Sequence, residues 1–166
     1  ILREGDIISI DMGAVKDGYH GDAARTFAVG NVSDEAKKLI EVTRDCFFKG
    51  IEYAKPGNRI GDVSSAIQQY AEENGYGVVR SLVGHGIGEN LHEDPDVPNF
   101  GNPGKGLRLR SGMTIAVEPM INLGTYKVFQ EGDGWTIKTA DGKISAHYEN
   151  TIAILDSGVE ILTLVD

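Results

Sequence analysis

The sequence predicts an α+β protein whose two ends are built alike. A β-hairpin pattern opens the chain, two helical patterns follow, and a strand-rich region closes it. In both end segments, a basic residue stands two places before a glycine, and an acid follows that glycine by six. These residues are Arg3, Gly5 and Asp11 in the first segment, and Arg110, Gly112 and Glu118 in the second. Such weak self-similarity is typical of a chain made of two similar halves.

Composition excludes several classes of function. A chain of 166 residues fits one domain with a sizeable core. The formal charge of −9 argues against a phosphate-binding surface, so we expect no nucleic-acid binding. No apolar run approaches the roughly 20 residues of a membrane helix, and no secretory pattern is present. The single cysteine, Cys46, fits a reducing, cytoplasmic compartment.

The first elements are a hairpin and a helix. Residues 6–29 alternate apolar and polar side chains, are rich in β-branched residues, and contain an Asp17-Gly18 turn, which together predict a β-hairpin. Ser33 is a good N-cap, and apolar residues then recur at helical spacing to about Ala54. The cysteine of this helix is most simply a core residue, because nothing near it in sequence would lower its pKa.

A second helix and several strands complete the prediction. The helix runs from about Ile60 to Asn74, with Gly75 as its stop. Residues 95–112 form a long loop without periodicity, which in a compact domain is usually functional or disordered. Strands are predicted near 113–118, 126–130, 136–138, 149–155 and 159–164.

Four acids stand at apolar strand ends in the two matching halves. They are Asp11 and Asp22 in the first half, and Glu118 and Glu149 in the second. An acid in such a position is costly to bury unless it is paired or binds metal. A single one is most simply a solvated strand end, but four in matching positions favour a metal cage.

Two histidines strengthen this hypothesis. Glycines on both sides of His85 allow close backbone approach and leave the imidazole unshielded, which suits a ligand. His92 follows seven residues later, across a glycine-rich turn, so both rings are placed to face one cavity. Trp135 directly follows the Gly132-Asp133-Gly134 turn, where a pocket wall and simple packing are equally compatible with the sequence.

As an ordered set, Asp11, Asp22, His85, Glu118 and Glu149 resemble the five metal ligands of the methionine aminopeptidases. That family shares the pita-bread fold with creatinase and prolidase. The local motifs that match are Ile10-Asp11-Met12-Gly13, Gly18-Tyr19-His20-Gly21-Asp22, Gly84-His85-Gly86-Ile87-Gly88, Val97-Pro98-Asn99-Phe100-Gly101, Glu118-Pro119-Met120 and Tyr148-Glu149-Asn150-Thr151. The resemblance covers essentially the whole chain.

The bacterial type I branch of the family is the most similar one. Gly134-Trp135-Thr136, with Ser145-Ala146 ahead of the last acid, is similar to that branch. The Gly-Val-Arg-Ile-Glu-type motif expected of prolidase-like relatives before the last ligand is absent. The resemblance implies a single catalytic domain over residues 1–166, with a pseudo-two-fold antiparallel sheet and helices on one face.

The resemblance also implies a centre of two divalent metal ions. Mostly oxygen ligands with one nitrogen favour Mn, Fe, Co or Zn. By resemblance, Asp22 and Glu149 bridge the ions, Asp11 completes the shell of one, and His85 and Glu118 complete that of the other. Two ions that share a hydroxide activate water at neutral pH.

Further roles follow from the same resemblance. Glu118 would transfer the proton and His92 would donate a hydrogen bond to the peptide carbonyl. Leu91 and Trp135 would form part of the methionine pocket wall. The substrates would be peptides or nascent chains with an N-terminal methionine, which implies an association with ribosomes. Relatives more often have an aromatic residue at position 91 and glutamine where this chain has His147.

The chain departs most from the family at its front. It starts with Ile1 rather than Met, and it carries no counterpart of the upstream segment that, by resemblance, supplies part of the methionine pocket and another histidine. We therefore expect an N-terminally truncated fold with all five ligands and poor activity. Two alternatives stay open, an X-Pro peptidase of the same fold and a non-catalytic module that binds peptides or proteins.

Overall fold

The computed structural model describes residues 1–164 as two helices and a series of antiparallel strands. The long elements are the strands β1 (Ile7–Lys16) and β2 (Tyr19–Ala28) and the helices α1 (Asp34–Ile51) and α2 (Ile60–Glu73). The shorter strands are β3 (Gly77–Val78), β4 (Gly84–Gly86), β5 (Glu93–Val97), β6 (Thr114–Val117), β7 (Met120–Asn122), β8 (Val128–Gln130), β9 (Ile137–Thr139), β10 (Ser145–His147), β11 (Asn150–Leu155) and β12 (Gly158–Ile161).

Among residues 1–164 the strands form four antiparallel groups. Five strands follow the order β12-β11-β6-β4-β5, and three follow the order β10-β7-β3. The hairpins β1-β2 and β8-β9 are two-stranded. The β1-β2 hairpin contacts β10 and β11, which brings the first end of the chain against its last strands.

The predicted likeness of the two halves is visible in their backbone hydrogen bonds. The Gly5 amide donates to the Val29 carbonyl at 3.0 Å, and the Val29 amide donates back to the residue after Gly5 at 2.9 Å. In the second half, the Gly112 amide donates to the Ile154 carbonyl at 2.8 Å, and the return bond is 2.9 Å. Gly5 and Gly112 have φ values of 94° and 89°, which favour glycine. The same turn therefore closes the strand pairs that carry the acids.

Both helices begin where the sequence predicted and end one to three residues before their predicted ends. The Ser33 hydroxyl accepts a hydrogen bond from the Ala36 amide at 3.1 Å, as an N-cap does. Helix α1 ends at Ile51, three residues before the predicted end, because a tighter turn follows it, in which the Tyr53 amide donates to Gly50. The two helices approach closely at Gly50, where an added Cβ would lie 2.6 Å from Ile67.

A hydrophobic core lies between the helices and the strands. Fully buried side chains from α1, α2 and the sheet meet there, including Phe47, Ile67, Ile121 and Ile152. Cys46 is also fully buried, and burial raises the pKa of its thiol to about 12. This confirms the prediction of a core cysteine rather than a reactive one.

The later strands are confirmed more closely than the short early ones. Strands β6, β8, β9 and β11 lie where they were predicted, whereas β12 ends at Ile161 rather than near 164. Strands β3, β4, β5, β7 and β10 were not predicted. Strands β3, β7 and β10 have two or three residues each and pair with distant segments, whereas β4 and β5 pair with each other across a glycine-rich turn. His85, which glycines flank, lies on β4, and β5 takes up the start of the predicted 95–112 loop. No helix among residues 1–164 is long and apolar enough to cross a membrane.

Candidate metal centre

Three of the predicted acids and His85 converge in the interior. Asp22 lies on β2, Glu118 directly follows β6, Glu149 directly precedes β11, and His85 is the middle residue of β4. Their exposed fractions are 7% for Asp22, 9% for Glu118, 1% for Glu149 and 7% for His85. Buried ionisable groups this close together need either mutual compensation or a bound cation.

The ligand atoms fall into two groups that share one carboxylate. Asp22, His85 and Glu149 form the first group, and Glu118, His147 and Glu149 form the second. Within each group the ligand atoms lie within 4.8 Å of one another. Glu149, common to both, is therefore placed to contact two cations at once.

Strand pairing explains why residues far apart in sequence meet here. Asn150 pairs with Val117, so Glu149 and Glu118 leave β11 and β6 at the same end of that strand pair. The Glu149 amide donates to the Ala24 carbonyl at 2.9 Å, which fastens β11 to β2. Asp22 lies two residues before Ala24 on β2, so the two halves meet at their acids.

Asp11 completes the acidic cluster at its surface. It faces Ala24 across the β1-β2 hairpin and is more exposed than the other acids. Burial is the largest cause that raises the pKa of Asp11, and the nearby Asp22 raises it further, while His147 opposes the shift. The structure thus brings all five predicted ligands into one cluster, although Asp11 belongs to neither of the two tight groups.

The electrostatics of the cluster fit a divalent cation. Burial, and then the charges of Glu118, Asp22 and Asp11, raise the pKa of Glu149 to about 10. Its Oε1 atom is buried and has no hydrogen-bond partner among residues 1–164. Arg25 donates to the Glu149 backbone carbonyl rather than to its carboxylate. A cation would supply the missing partner, because an unpaired buried polar atom costs about 1–3 kcal/mol.

His85 is oriented as a ligand. Its Nδ1 atom lies 2.9 Å from the Gly86 carbonyl oxygen, which only accepts, so Nδ1 is the donor of this contact and Nε2 is the nitrogen that faces the acids. The Nε2 atom lies 3.6 Å from Oε1 of Glu118. A Cβ added at Gly84 would lie 2.4 Å from the Ala116 carbonyl, and one at Gly86 would lie 2.2 Å from Asp94. The glycines therefore permit the close backbone approach that the sequence predicted.

Of the residues predicted on the substrate side, His92 and Trp135 are exposed and Leu91 is partly buried. The His92 ring is exposed, and its centroid lies 4.3 Å from that of His85, so the two histidines do share one region. Leu91 packs against the backbone at Gly13, where an added Cβ would lie 3.2 Å from Leu91 Cδ1. Trp135 is 87% exposed, on the turn between β8 and β9. The pocket roles of Leu91 and Trp135 stay predictions.

Several supporting residues escaped sequence reasoning. The Thr151 hydroxyl accepts from the Asp22 amide at 2.8 Å and donates to the Asp22 carbonyl at 3.1 Å. The Asn99 side chain donates to the Glu118 carbonyl at 2.9 Å. Thr151 follows Glu149 by two residues, which places it on the same strand face, but its partner could not be read from the sequence.

Comparison with known proteins places this centre in a family. Residues 1–156 match the model of metallopeptidase family M24. The chain is 62% identical to a methionine aminopeptidase of Clostridium perfringens, covering 99% of this chain and 66% of that protein. It is 54% identical to methionine aminopeptidase 1 of Bacillus subtilis, with coverages of 99% and 66%. The chain belongs to metallopeptidase family M24.

Solved structures agree with this placement. A crystal structure of methionine aminopeptidase from Thermotoga maritima has a TM-score of 0.96 at 50% identity, covering 99% of this chain and 66% of that one. A prolidase from Pyrococcus horikoshii has a TM-score of 0.78 at 29% identity, with coverages of 99% and 42%. These neighbours confirm the predicted pita-bread α+β fold, and the family implies binding of divalent metal. The chain spans 66% of the length of the two curated relatives described above.

Proposed function

We propose that this chain is the catalytic domain, over residues 1–166, of an enzyme that uses metal to remove N-terminal methionine from peptides and nascent proteins. The observation that carries the proposal is the buried acid-histidine cluster around Glu149, whose Oε1 atom has no partner among residues 1–164. The 62% identity to a protein named methionine aminopeptidase supports this substrate over a generic peptide.

Five side chains would hold two divalent ions of Mn, Fe, Co or Zn. They are Asp11, Asp22, His85, Glu118 and Glu149. Four carboxylates and one imidazole form the oxygen-rich ligand set that such ions accept. When bound, a pair of ions of this kind lowers the pKa of water and polarises a carbonyl.

Glu118 would hold the transferred proton. Its carboxylate is 9% exposed and has an imidazole near each oxygen, which restrains its position. A carboxylate held close to the reacting atoms can accept a proton from the attacking water and return it to the leaving amine.

His92 would bind the carbonyl oxygen of the peptide bond. Its ring is exposed towards solvent and lies 4.3 Å from His85, measured between ring centroids, so a substrate at the cluster can reach it. A hydrogen bond that strengthens as negative charge develops on that oxygen is worth roughly 10²–10³ in rate.

Leu91 and Trp135 would line the slot for the methionine side chain. An unbranched thioether needs apolar walls, and sulfur makes favourable contacts with aromatic rings. Trp135 is 87% exposed, which leaves its ring free to contact a bound side chain.

The proposed setting is the cytoplasm, in association with ribosomes that present nascent chains. The single cysteine is buried and free, which suits a reducing compartment. The formal charge of −9 gives no support to direct nucleic-acid binding.

The test is peptide hydrolysis after metal loading. The chain, stripped with EDTA and reloaded with Mn²⁺, Fe²⁺, Co²⁺ or Zn²⁺, is offered Met-Ala-Ser and Ala-Pro peptides. We expect methionine release that exceeds X-Pro cleavage at least tenfold and is abolished by Asp22→Asn. Because the chain spans 66% of the Clostridium perfringens relative, the assay is repeated with the remaining part of that relative supplied.

Two other outcomes of this assay would favour the X-Pro peptidase or the non-catalytic module instead. Preference for Ala-Pro in both forms would identify an X-Pro peptidase. Tight peptide binding without hydrolysis, and without divalent metal bound at micromolar concentration, would identify a non-catalytic module.

A further inference from the structure

The side chain of His147 lies beside the acid-histidine cluster, and its Nε2 atom has no hydrogen-bond partner among residues 1–164. Its Nε2 atom is 3.5 Å from Oε2 of Glu118, and its side chain is 14% exposed. This nitrogen is buried and makes no hydrogen bond to any of residues 1–164. A buried imidazole nitrogen without a partner is rare, because such a loss costs about 1–3 kcal/mol.

The backbone of His147 is held firmly. It pairs with Met120 across β10 and β7. The Thr26 hydroxyl donates to the His147 carbonyl at 2.9 Å and accepts from the His147 amide at 2.8 Å. These contacts anchor the residue from both the second half and the first, so the position of its ring at the cluster is built into the fold.

The distances around Glu118 suit donors that share an ion. One imidazole faces each oxygen of this carboxylate, His85 at 3.6 Å and His147 at 3.5 Å. Both exceed the roughly 2.7–2.9 Å of a direct charge-assisted hydrogen bond. Two donors bound to one ion at about 2.1 Å each stand about 3.0–3.4 Å apart for bond angles of 90–109°. The observed gaps are close to that spacing.

We propose that His147 is a direct nitrogen ligand of the divalent ion that Glu118 helps to hold. The centre then contains two imidazoles, His85 and His147, rather than one. This inference rests on the proposed two-metal function. Since imidazole favours Co, Ni and Zn over Mn, His147 shifts the metal preference of this chain towards the nitrogen-binding ions.

The direct test counts the coordinated imidazoles. The chain is loaded with Mn²⁺, and pulsed electron paramagnetic resonance measures the nitrogen nuclei bound to the metal. We expect two imidazole nitrogens in the unchanged protein and one in His147→Gln. Glutamine keeps a polar side chain of similar reach, and His20→Gln, a change on the β1-β2 hairpin, is the matched control that leaves the count at two.

A second measurement uses binding alone. Equilibrium dialysis gives the ratio of Co²⁺ to Mn²⁺ affinity, and we expect His147→Gln to lower this ratio at least tenfold while His20→Gln leaves it within twofold. If His147→Gln fails to fold by circular dichroism, the nitrogen count of the unchanged protein still decides the question.

The outcomes separate this inference from the proposed function. Two bound ions with a single coordinated imidazole, or an unchanged affinity ratio in a folded His147→Gln, would overturn the role of His147 and leave the metal centre intact. No divalent ion bound at micromolar concentration would overturn both.

Discussion

Glu149→Gln tests whether the most buried carboxylate is a ligand or a structural group. Without metal, the Oε1 atom of Glu149 has no partner to lose among residues 1–164, and three other carboxylates oppose its charge. With its pKa raised to about 10, Glu149 must take up a proton on folding at neutral pH, and an amide of the same shape removes that cost. We therefore expect the metal-free variant to unfold with a free energy equal to that of the unchanged chain, or about 1–2 kcal/mol higher.

With Mn²⁺ bound, we expect the unchanged chain to be more stable than Glu149→Gln. A ligand at 100 times its dissociation constant stabilises the native state by about 2.7 kcal/mol. For a chain of this size, each kcal/mol shifts the melting temperature by about 2–4 °C, so Mn²⁺ should raise that of the unchanged chain by about 5–11 °C. Because Glu149 belongs to both ligand groups, Glu149→Gln should lose most of this rise.

The assay is thermal unfolding in EDTA and in Mn²⁺, followed by circular dichroism. Glu160→Gln, an exposed change on β12, is the control and should keep the full metal-induced rise. The ligand role of Glu149 would be contradicted if Glu149→Gln lost about 2 kcal/mol or more of unfolding free energy in EDTA, the scale of a broken buried contact, yet kept the Mn²⁺-induced rise in melting temperature.

Three further predictions concern the supports of the site and the core. Gly86→Ala places a Cβ 2.2 Å from the Asp94 carbonyl oxygen, which should displace the neighbouring ligand His85. Equilibrium dialysis should then show a metal affinity at least tenfold weaker. An unchanged affinity would contradict the close packing at Gly86. Thr151→Val removes both hydrogen bonds to the Asp22 backbone and should cost about 1–3 kcal/mol in urea unfolding, whereas a loss below 0.5 kcal/mol would contradict their role. Burial raises the pKa of Cys46 from 9.0 to about 12, so its contribution to stability is fully present below pH 9 and is lost as the pH rises towards 12. Between pH 9 and 12, the unfolding free energy of the unchanged chain should therefore fall by up to about 4 kcal/mol more than that of Cys46→Ala. Parallel curves of unfolding free energy against pH for the two proteins would contradict this.

Local chemistry made the hairpin and the helices predictable. Asp17 and Gly18 adopt φ values of 52° and 86°, the left-handed conformations that this turn dipeptide favours. Ser33 caps α1 for the same reason, since its hydroxyl satisfies a free amide within its own turn. The strands β3 and β7 were missed because they have two and three residues and pair only with distant segments.

The residues of the candidate site could be proposed from the sequence, but their arrangement could not. Strand ends and glycine-flanked positions marked the five candidate ligands and His92 from sequence alone. Glu149 belongs to both ligand groups because β2 and β11 join there, through the hydrogen bond from the Glu149 amide to the Ala24 carbonyl. That junction cannot be read from the sequence. The approach of His147 to Glu118 likewise depends on contacts with Thr26 and Met120, far away in the chain.

Anomalous diffraction from a crystal of the Mn²⁺-loaded chain would examine the metal centre itself. We expect two strong peaks about 3.5–4 Å apart, with the Glu149 carboxylate in contact with both. Peaks confined to exposed acids at the surface, or no peak between Asp22 and Glu118, would contradict it.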